Sequence, residues 1–109
     1  MTYQELTAML TSINIPVSYF KYPNEVTPIP PCLVYYFSGA SIEPADNTNY
    51  SAIQHLVVEI VTSNKDFTIE QSAESAFTAN RWQYVKSEEY IYNDDLYLIT
   101  YEGDIILNG

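Results

Sequence analysis

Two adjacent prolines stand directly before a long apolar segment of this chain. Pro30 and Pro31 lead into residues 32–38, which are rich in aromatic side chains and carry no charge. Proline has a fixed φ and no backbone N–H, so this pair cannot lie inside a helix or a sheet. We therefore expect a buried central strand to begin at Cys32, with a rigid, extended lead-in before it.

Helical periodicity predicts two helices. Thr2 and Glu5 form a capping-box pattern ahead of an apolar stripe, which indicates the start of the first helix. Asp66 is a favourable N-cap for the second helix, whose Glu70 and Glu74 are expected to face water. The predicted helices cover residues 3–12 and 67–79.

Runs of strand length and alternating patterns predict five strands. In the clearest of them, Leu56, Val58 and Ile60 should share one face of the sheet, and His55 and Glu59 should lie on the other. The predicted strands cover residues 17–21, 32–38, 51–62, 82–89 and 96–102. A turn is expected at residues 90–95, and residues 104–109 either continue the last strand or fray.

The resulting element order is α-β-β-β-α-β-β within one domain, residues 1–109. Strands that cluster in hairpins, with two helices left over, indicate an α+β fold. We expect an antiparallel sheet of about five strands, with two helices packed on one face. The second and third strands should form a long antiparallel hairpin. Its connection at residues 39–50 is long enough to be a functional loop.

The charge balance is strongly acidic. The chain has 14 acidic residues against 4 Lys and Arg, for a formal net charge of −10. Such a field repels nucleic-acid phosphates and anionic membranes, and it suits a basic partner. The sequence has neither a signal-peptide pattern nor an apolar run long enough to cross a bilayer. We therefore expect no specific nucleic-acid partner, no membrane association and a cytoplasmic location.

Residue types that usually carry chemistry are sparse. His55 is the single histidine and Cys32 the single cysteine, so a typical zinc set cannot form. Both are expected to be structural or surface residues. Glu88 and Glu89 are adjacent on a predicted strand, so they should point to opposite faces. Residues 46–49, Asp-Asn-Thr-Asn, are rich in oxygen ligands but lack the spacing, the central Gly and the closing Glu of an EF-hand loop. We expect no enzymatic activity, no cofactor and no metal site.

Nearly the whole chain resembles a family of small proteins from phages and prophages of Gram-positive bacteria. The resemblance rests on short motifs in a shared order. Trp82-Gln83 departs from the more polar approach expected before Tyr84. The matching motifs are Met1-Thr2-Tyr3-Gln4-Glu5-Leu6, Pro30-Pro31 before Leu33-Val34-Tyr35, Ala45-Asp46-Asn47 before Tyr50, Val58-Glu59-Ile60-Val61-Thr62 with Lys65-Asp66, and Tyr84-Val85-Lys86-Ser87-Glu88 with Leu96-Tyr97.

Members of this family are similar to tail terminator or tail completion proteins, encoded among head–tail joining and tail genes. The resemblance implies a homo-hexameric ring at the head-proximal end of the tail tube, with no catalytic residues. It implies the tail tube protein and the head–tail connector proteins as partners. It also implies a location in the virion tail, after assembly in the host cytoplasm.

The segments on either side of the strand at residues 32–38 are the expected contact surfaces. The candidate interface residues are Pro28, Pro30, Pro31, Ser41, Glu43, Asp46, Asn47 and Tyr50. A second hypothesis is an acidic inhibitor that mimics DNA and acts on a host DNA-binding enzyme. That role requires acids at phosphate-like spacing along one face, whereas in the sequence they are spread over helices, turns and strands.

Overall fold

The computed structural model describes residues 1–20, 29–42 and 52–107, and the α+β class and the predicted element order are confirmed. The sheet order is β1-β2-β3-β5-β4. All neighbouring strands pair antiparallel except β1, which runs parallel to β2 and makes the sheet mixed. The elements are α1 (Tyr3–Thr11), β1 (Val17–Tyr19), β2 (Cys32–Ile42), β3 (Ala52–Thr62), α2 (Phe67–Ala79), β4 (Val85–Ile91) and β5 (Leu96–Leu107).

Local capping sets where both helices begin. The Thr2 N–H donates to the Glu5 side chain at 2.9 Å, and the Glu5 N–H donates to the Thr2 hydroxyl at 3.1 Å. This reciprocal pair is the predicted capping box. The Asp66 side chain accepts from the Ile69 N–H at 3.1 Å, and α2 has the predicted bounds. The first helix ends at Thr11, one residue earlier than expected.

The strand after the two prolines begins at Cys32 as predicted, but it is longer than expected. The chain bends at Pro30 and Pro31, so the lead-in is not straight. The peptide bond between the two prolines is cis. β2 continues to Ile42 through a bulge between Phe37 and Gly39. The prediction of a loop was therefore wrong for residues 39–42, because pairing with β3 extends the strand through them. Residues 43–50 of the predicted loop lie outside the described residues.

The boundaries of the last hairpin also differ from the prediction. Trp82 and Tyr84 alternate like strand residues, yet both rings pack against Phe77 of α2, at 4.8 and 5.5 Å between centroids. Their alternation reflects core packing and not strand pairing. β4 therefore starts at Val85 and extends to Ile91, which shortens the predicted turn. β5 continues to Leu107.

Both helices cover the same face of the sheet, as predicted. Leu6 and Leu10 of α1 and Phe77 of α2 join one buried cluster with alternate residues of the strands. The strand residues of this cluster include Leu33, Leu56, Val58, Ile60, Ile99, Tyr101, Ile105 and Leu107. We call this side the helical face and the other side the helix-free face, since no described helix packs there. None of the described helices has the length and apolar character needed to cross a membrane.

Candidate interaction surfaces

The predicted interface residues lie only partly within the described residues. Pro30 is half-buried and Pro31 is exposed, directly before β2, while Ser41 lies near the other end of β2, opposite Ile53. Ser41 lies ten residue steps from Pro31 along an extended chain, a distance of about 33 Å. These positions therefore do not form one patch. Pro28, Glu43, Asp46, Asn47 and Tyr50 lie outside the described residues, so their role stays a prediction.

Aromatic side chains cluster where β1 meets β2. Tyr19 is 52% exposed and Phe20 is 64% exposed. The Tyr19 ring lies 5.1 Å from Tyr35, and the Phe20 ring lies 5.2 Å from Tyr36, measured between centroids. Exposed apolar surface of this kind often marks a protein contact, and tyrosine is enriched in such interfaces. We call this cluster the aromatic edge; its rings are Tyr3, Tyr19, Phe20, Tyr35, Tyr36 and Phe37.

An unusual backbone conformation ends β1. Phe20 has a φ of 64°, in the left-handed region that bulky residues rarely adopt. Its N–H still donates to the carbonyl oxygen of Tyr35 at 2.9 Å. Because adjacent residues of β2 point to opposite faces, the contact with Tyr36 brings the Phe20 ring to the helix-free face.

His55 is held between two carboxylates on the helix-free face. Its Nδ1 lies 3.1 Å from Asp104 Oδ1, and its Nε2 lies 3.2 Å from Glu102 Oε1. Hydrogen bonds to Asp104 and then to Glu102 raise the pKa of His55 above its usual range. Both ring nitrogens are thus engaged by carboxylates, which leaves neither of them open to a metal or a substrate. This arrangement matches the expected surface role.

The one candidate nucleophile is far from the histidine. Cys32 is fully buried and pairs with Val61, six residues along β3 from His55, or about 20 Å. Burial raises the pKa of the Cys32 thiol, which disfavours the reactive thiolate. The fold therefore does not bring Cys32 and His55 together. Among the described residues, no group of three or more His, Cys, Asp or Glu side chains is arranged to hold a metal ion.

The prediction that Glu70 and Glu74 face water was wrong for Glu70, whereas Glu74 is 33% exposed and so partly faces water. The Glu70 side chain is only 6% exposed and receives Lys65 and Lys86, each at 2.8 Å. Lys86 also reaches Glu74 at 2.7 Å, and Lys65 also binds Glu88. Helical spacing places both glutamates away from the apolar stripe, but it cannot predict their contacts with Lys86 on β4 and Lys65 in the loop before α2.

These contacts form a lysine–glutamate network beneath α2, made of Lys65, Glu70, Glu74, Lys86 and Glu88. Burial opposes ionisation of Glu70, but hydrogen bonds from Lys65 and Lys86 outweigh it and lower the pKa of this carboxyl. Hydrogen bonds to Glu70 and Glu74 raise the pKa of Lys86. Glu70 and Lys86 therefore stay ionised at neutral pH, and their ion pair ties α2 to the edge of the sheet.

The two faces of the sheet carry different sets of charged side chains. Glu88 lies on the helical face within the network, while Glu89 lies on the helix-free face, as their adjacency predicted. Register places further acids on the helix-free face, and His55 is the single basic residue that the described strands present there. The acidic residues on this face are Glu59, Glu89, Glu102 and Asp104.

Comparison with solved structures gives an informative likeness. No protein-family model matches the sequence, and neither does any curated protein. Among solved structures, the chain is similar to one in the "Virion of native gene transfer agent (GTA) particle", with 17% sequence identity and a TM-score of 0.54. The likeness covers 98% of this chain and 91% of that chain. Identity this low shows a shared fold, and the coverage shows that the whole domain shares it.

Proposed function

We propose that this protein is a structural component of a phage or phage-like virion. Within the particle, we propose that it is a tail terminator or tail completion subunit that joins the tail tube to the head connector. The observation that carries this proposal is the likeness to a chain of a gene transfer agent virion over nearly the full length of both chains. The ordered sequence motifs point to the same class of particle.

The surfaces support a protein whose work is binding other proteins. Tyr19 and Phe20 present exposed rings at one edge of the sheet, a composition typical of protein interfaces. The two groups best suited to nucleophilic chemistry are far apart, since Cys32 is buried and His55 is engaged by carboxylates. A contact role accounts for these features without any reaction.

The proposed partners are further copies of the chain in a hexameric ring, the tail tube protein and the head–tail connector proteins. The proposed place is the head-proximal end of the tail. If the helix-free face lines the bore of this ring, its four carboxylates repel passing DNA phosphates and keep the genome from adhering. The net charge of −10 suits such a passage.

Electron microscopy of particles lacking this protein tests the proposal. We expect heads and tails that fail to join, or tails of uncontrolled length, after deletion of the gene. The same gene supplied in trans should restore joined particles, which controls for effects on neighbouring genes. Joined particles with tails of normal length in the deletion strain would contradict the proposed role.

A DNA mimic remains the second candidate because the fold gathers acids that are scattered in the sequence. Glu59, Glu89, Glu102 and Asp104 share one face of the sheet. Such a protein should displace double-stranded DNA from a host DNA-binding enzyme, and the variant Glu102→Gln with Asp104→Asn should do so less well. Light scattering after size exclusion separates the candidates, since a hexamer supports the ring and a DNA-displacing monomer or dimer supports the mimic.

A further inference from the structure

Within the part of the chain that the structure describes, each side of the sheet has a strand edge without a pairing partner. β4 is the last strand on one side, and its edge away from β5 has no partner among the described residues. On the other side, β1 pairs only with residues 33–35 of β2. Residues 36–42 of β2 therefore also have an open edge within the described part of the chain. Each open edge has about the length of a typical β-strand in a globular protein.

Neither open edge has the full protection that solvent-exposed edges usually carry. Charged side chains, proline and bulges normally prevent an edge from pairing with another chain. Residues 36–42 contain no charged residue and no proline, and their one irregularity is the bulge at Ser38. β4 contains three charged residues. Lys86 and Glu88 are engaged in the network beneath α2, and Glu89, exposed on the helix-free face, is the one charged side chain of this strand outside that network.

Exposed apolar side chains lie at both edges. Tyr19 and Phe20 stand beside the open part of β2, and they are 52% and 64% exposed. On β4, Val85 is 70% exposed and Tyr90 is 45% exposed. Pairing of these two edges would bury apolar surface from both sides and satisfy two rows of backbone N–H and C=O groups.

We propose that β4 of one subunit pairs with residues 36–42 of β2 in the next subunit, so that the sheets join around a ring. This inference rests on the proposed ring function and names the surface that builds it. The occupant of each edge is a second copy of this chain. Two different edges make a head-to-tail contact, which closes into a ring when the rotation allows.

Strand direction favours this pairing. Within one subunit β4 runs antiparallel to β2, because three antiparallel steps separate them in the sheet. A rotation that repeats the subunit around a ring preserves the sense of every strand. β4 therefore meets the neighbouring β2 in the antiparallel sense. Pairing of β4 with a second β4 in a centred register would instead oppose Glu88 to Glu88, which is destabilising.

Cysteine cross-linking tests the contact. Ser38 and Ser87 are exposed serines on the two edges, and the natural Cys32 is fully buried. The double variant Ser38→Cys with Ser87→Cys is treated with a bis-maleimide of about 10 Å reach, which spans adjacent strands about 4.8 Å apart and a register offset of about two residues. The matched control carries Ser72→Cys with Ser87→Cys, because Ser72 is exposed on α2.

Each outcome supports or overturns the inference. We expect the double variant to give a ladder of covalent species up to the full ring, and the Ser72 control to give none. A dimer from Ser87→Cys alone would indicate pairing between two copies of β4 and would overturn the proposal.

The experiment is repeated on particles assembled with the same variants. If the double variant assembles into normal particles but gives no cross-linked ladder in them, the edge pairing is overturned while the ring function stays intact. Failure to oligomerise, either alone or in particles, would count against the ring function itself.

Discussion

The hydroxyl of Tyr101 donates a hydrogen bond to the carboxylate of Glu74 at 2.8 Å, which joins the centre of β5 to α2. Tyr101 is fully buried, so its hydroxyl has no access to water. Burial and the hydrogen bond to Glu74 together raise the pKa of Tyr101, so it stays a donor at all ordinary pH values. One buried hydroxyl thus links the apolar core to the lysine–glutamate network.

Removal of this hydroxyl should destabilise the fold. We expect Tyr101→Phe to lower the free energy of unfolding by about 1–2 kcal/mol, because a hydrogen bond to a charged acceptor is lost while the ring stays in place. Urea denaturation measures the change. Tyr92→Phe is the matched control, since Tyr92 is 83% exposed. Equal effects of the two substitutions would show that the Tyr101 hydroxyl contributes nothing.

Glu70 should matter more than an acid on the other face. Glu70→Gln removes a 6% exposed charge that binds Lys65 and Lys86, and we expect a loss of about 2 kcal/mol. Glu89→Gln is the control, because Glu89 is exposed on the helix-free face. Urea denaturation at neutral pH compares the two variants. A loss as small as that of the control would mean that the network does not stabilise the fold.

Acid should weaken the same network. The folded pKa of Glu70 lies below 4.5, so its stabilising effect is present above pH 4.5 and is lost as the pH falls through the folded pKa. Urea denaturation across this range should show a steeper loss of stability in the wild type than in Glu70→Gln. Parallel pH profiles would contradict the assignment.

His55 offers a direct titration because it is the single histidine. Its folded pKa is raised above 6.5, so its stabilising effect is present below pH 6.5 and is lost as the pH rises through the folded pKa. Proton NMR of its ring should report a pKa above 6.5 that falls in Asp104→Asn. Asp94→Asn, a change in the exposed turn, should leave the value unaltered. A wild-type pKa at or below 6.5 would contradict the paired geometry.

Substitution by alanine should destabilise the protein at Gly103 but not at Gly39. A Cβ at Gly103 would lie 2.2 Å from the carbonyl oxygen of Gln83, where the chain crosses the sheet between α2 and β4. We expect Gly103→Ala to cost about 1–3 kcal/mol of stability, because backbone must shift. At Gly39 a Cβ meets nothing within 4 Å, so Gly39→Ala should change stability by less than about 0.5 kcal/mol. Thermal unfolding of both variants checks the contrast, and a tolerated Gly103→Ala would refute it.

Much of the fold was predictable because its signals are local. The Asp66 cap and the helical stripe predicted the bounds of α2. The alternation of apolar residues in β3 predicted which of its side chains enter the core. The predicted strand boundaries were wrong where contacts between distant residues override the local sequence pattern. Trp82 and Tyr84 alternate because both reach Phe77, and Ser41 lies in β2 because β3 pairs with it. The turn-forming composition of residues 39–42 could not predict this pairing, because the partner strand lies elsewhere in the chain.

The sequence by itself determined where the helices start, that β2 begins after Pro31, and that the chain is an acidic α+β domain. Capping, proline geometry and periodicity act between neighbours in the chain, so they can be read without a fold. Only the tertiary structure decided that Glu74 accepts from Tyr101, 27 residues away, and that His55 lies between Glu102 and Asp104. Among the described residues, it also left β4 and residues 36–42 of β2 without a partner on their outer edges. Contacts of this kind depend on strand order and register, which join residues that are distant in the chain.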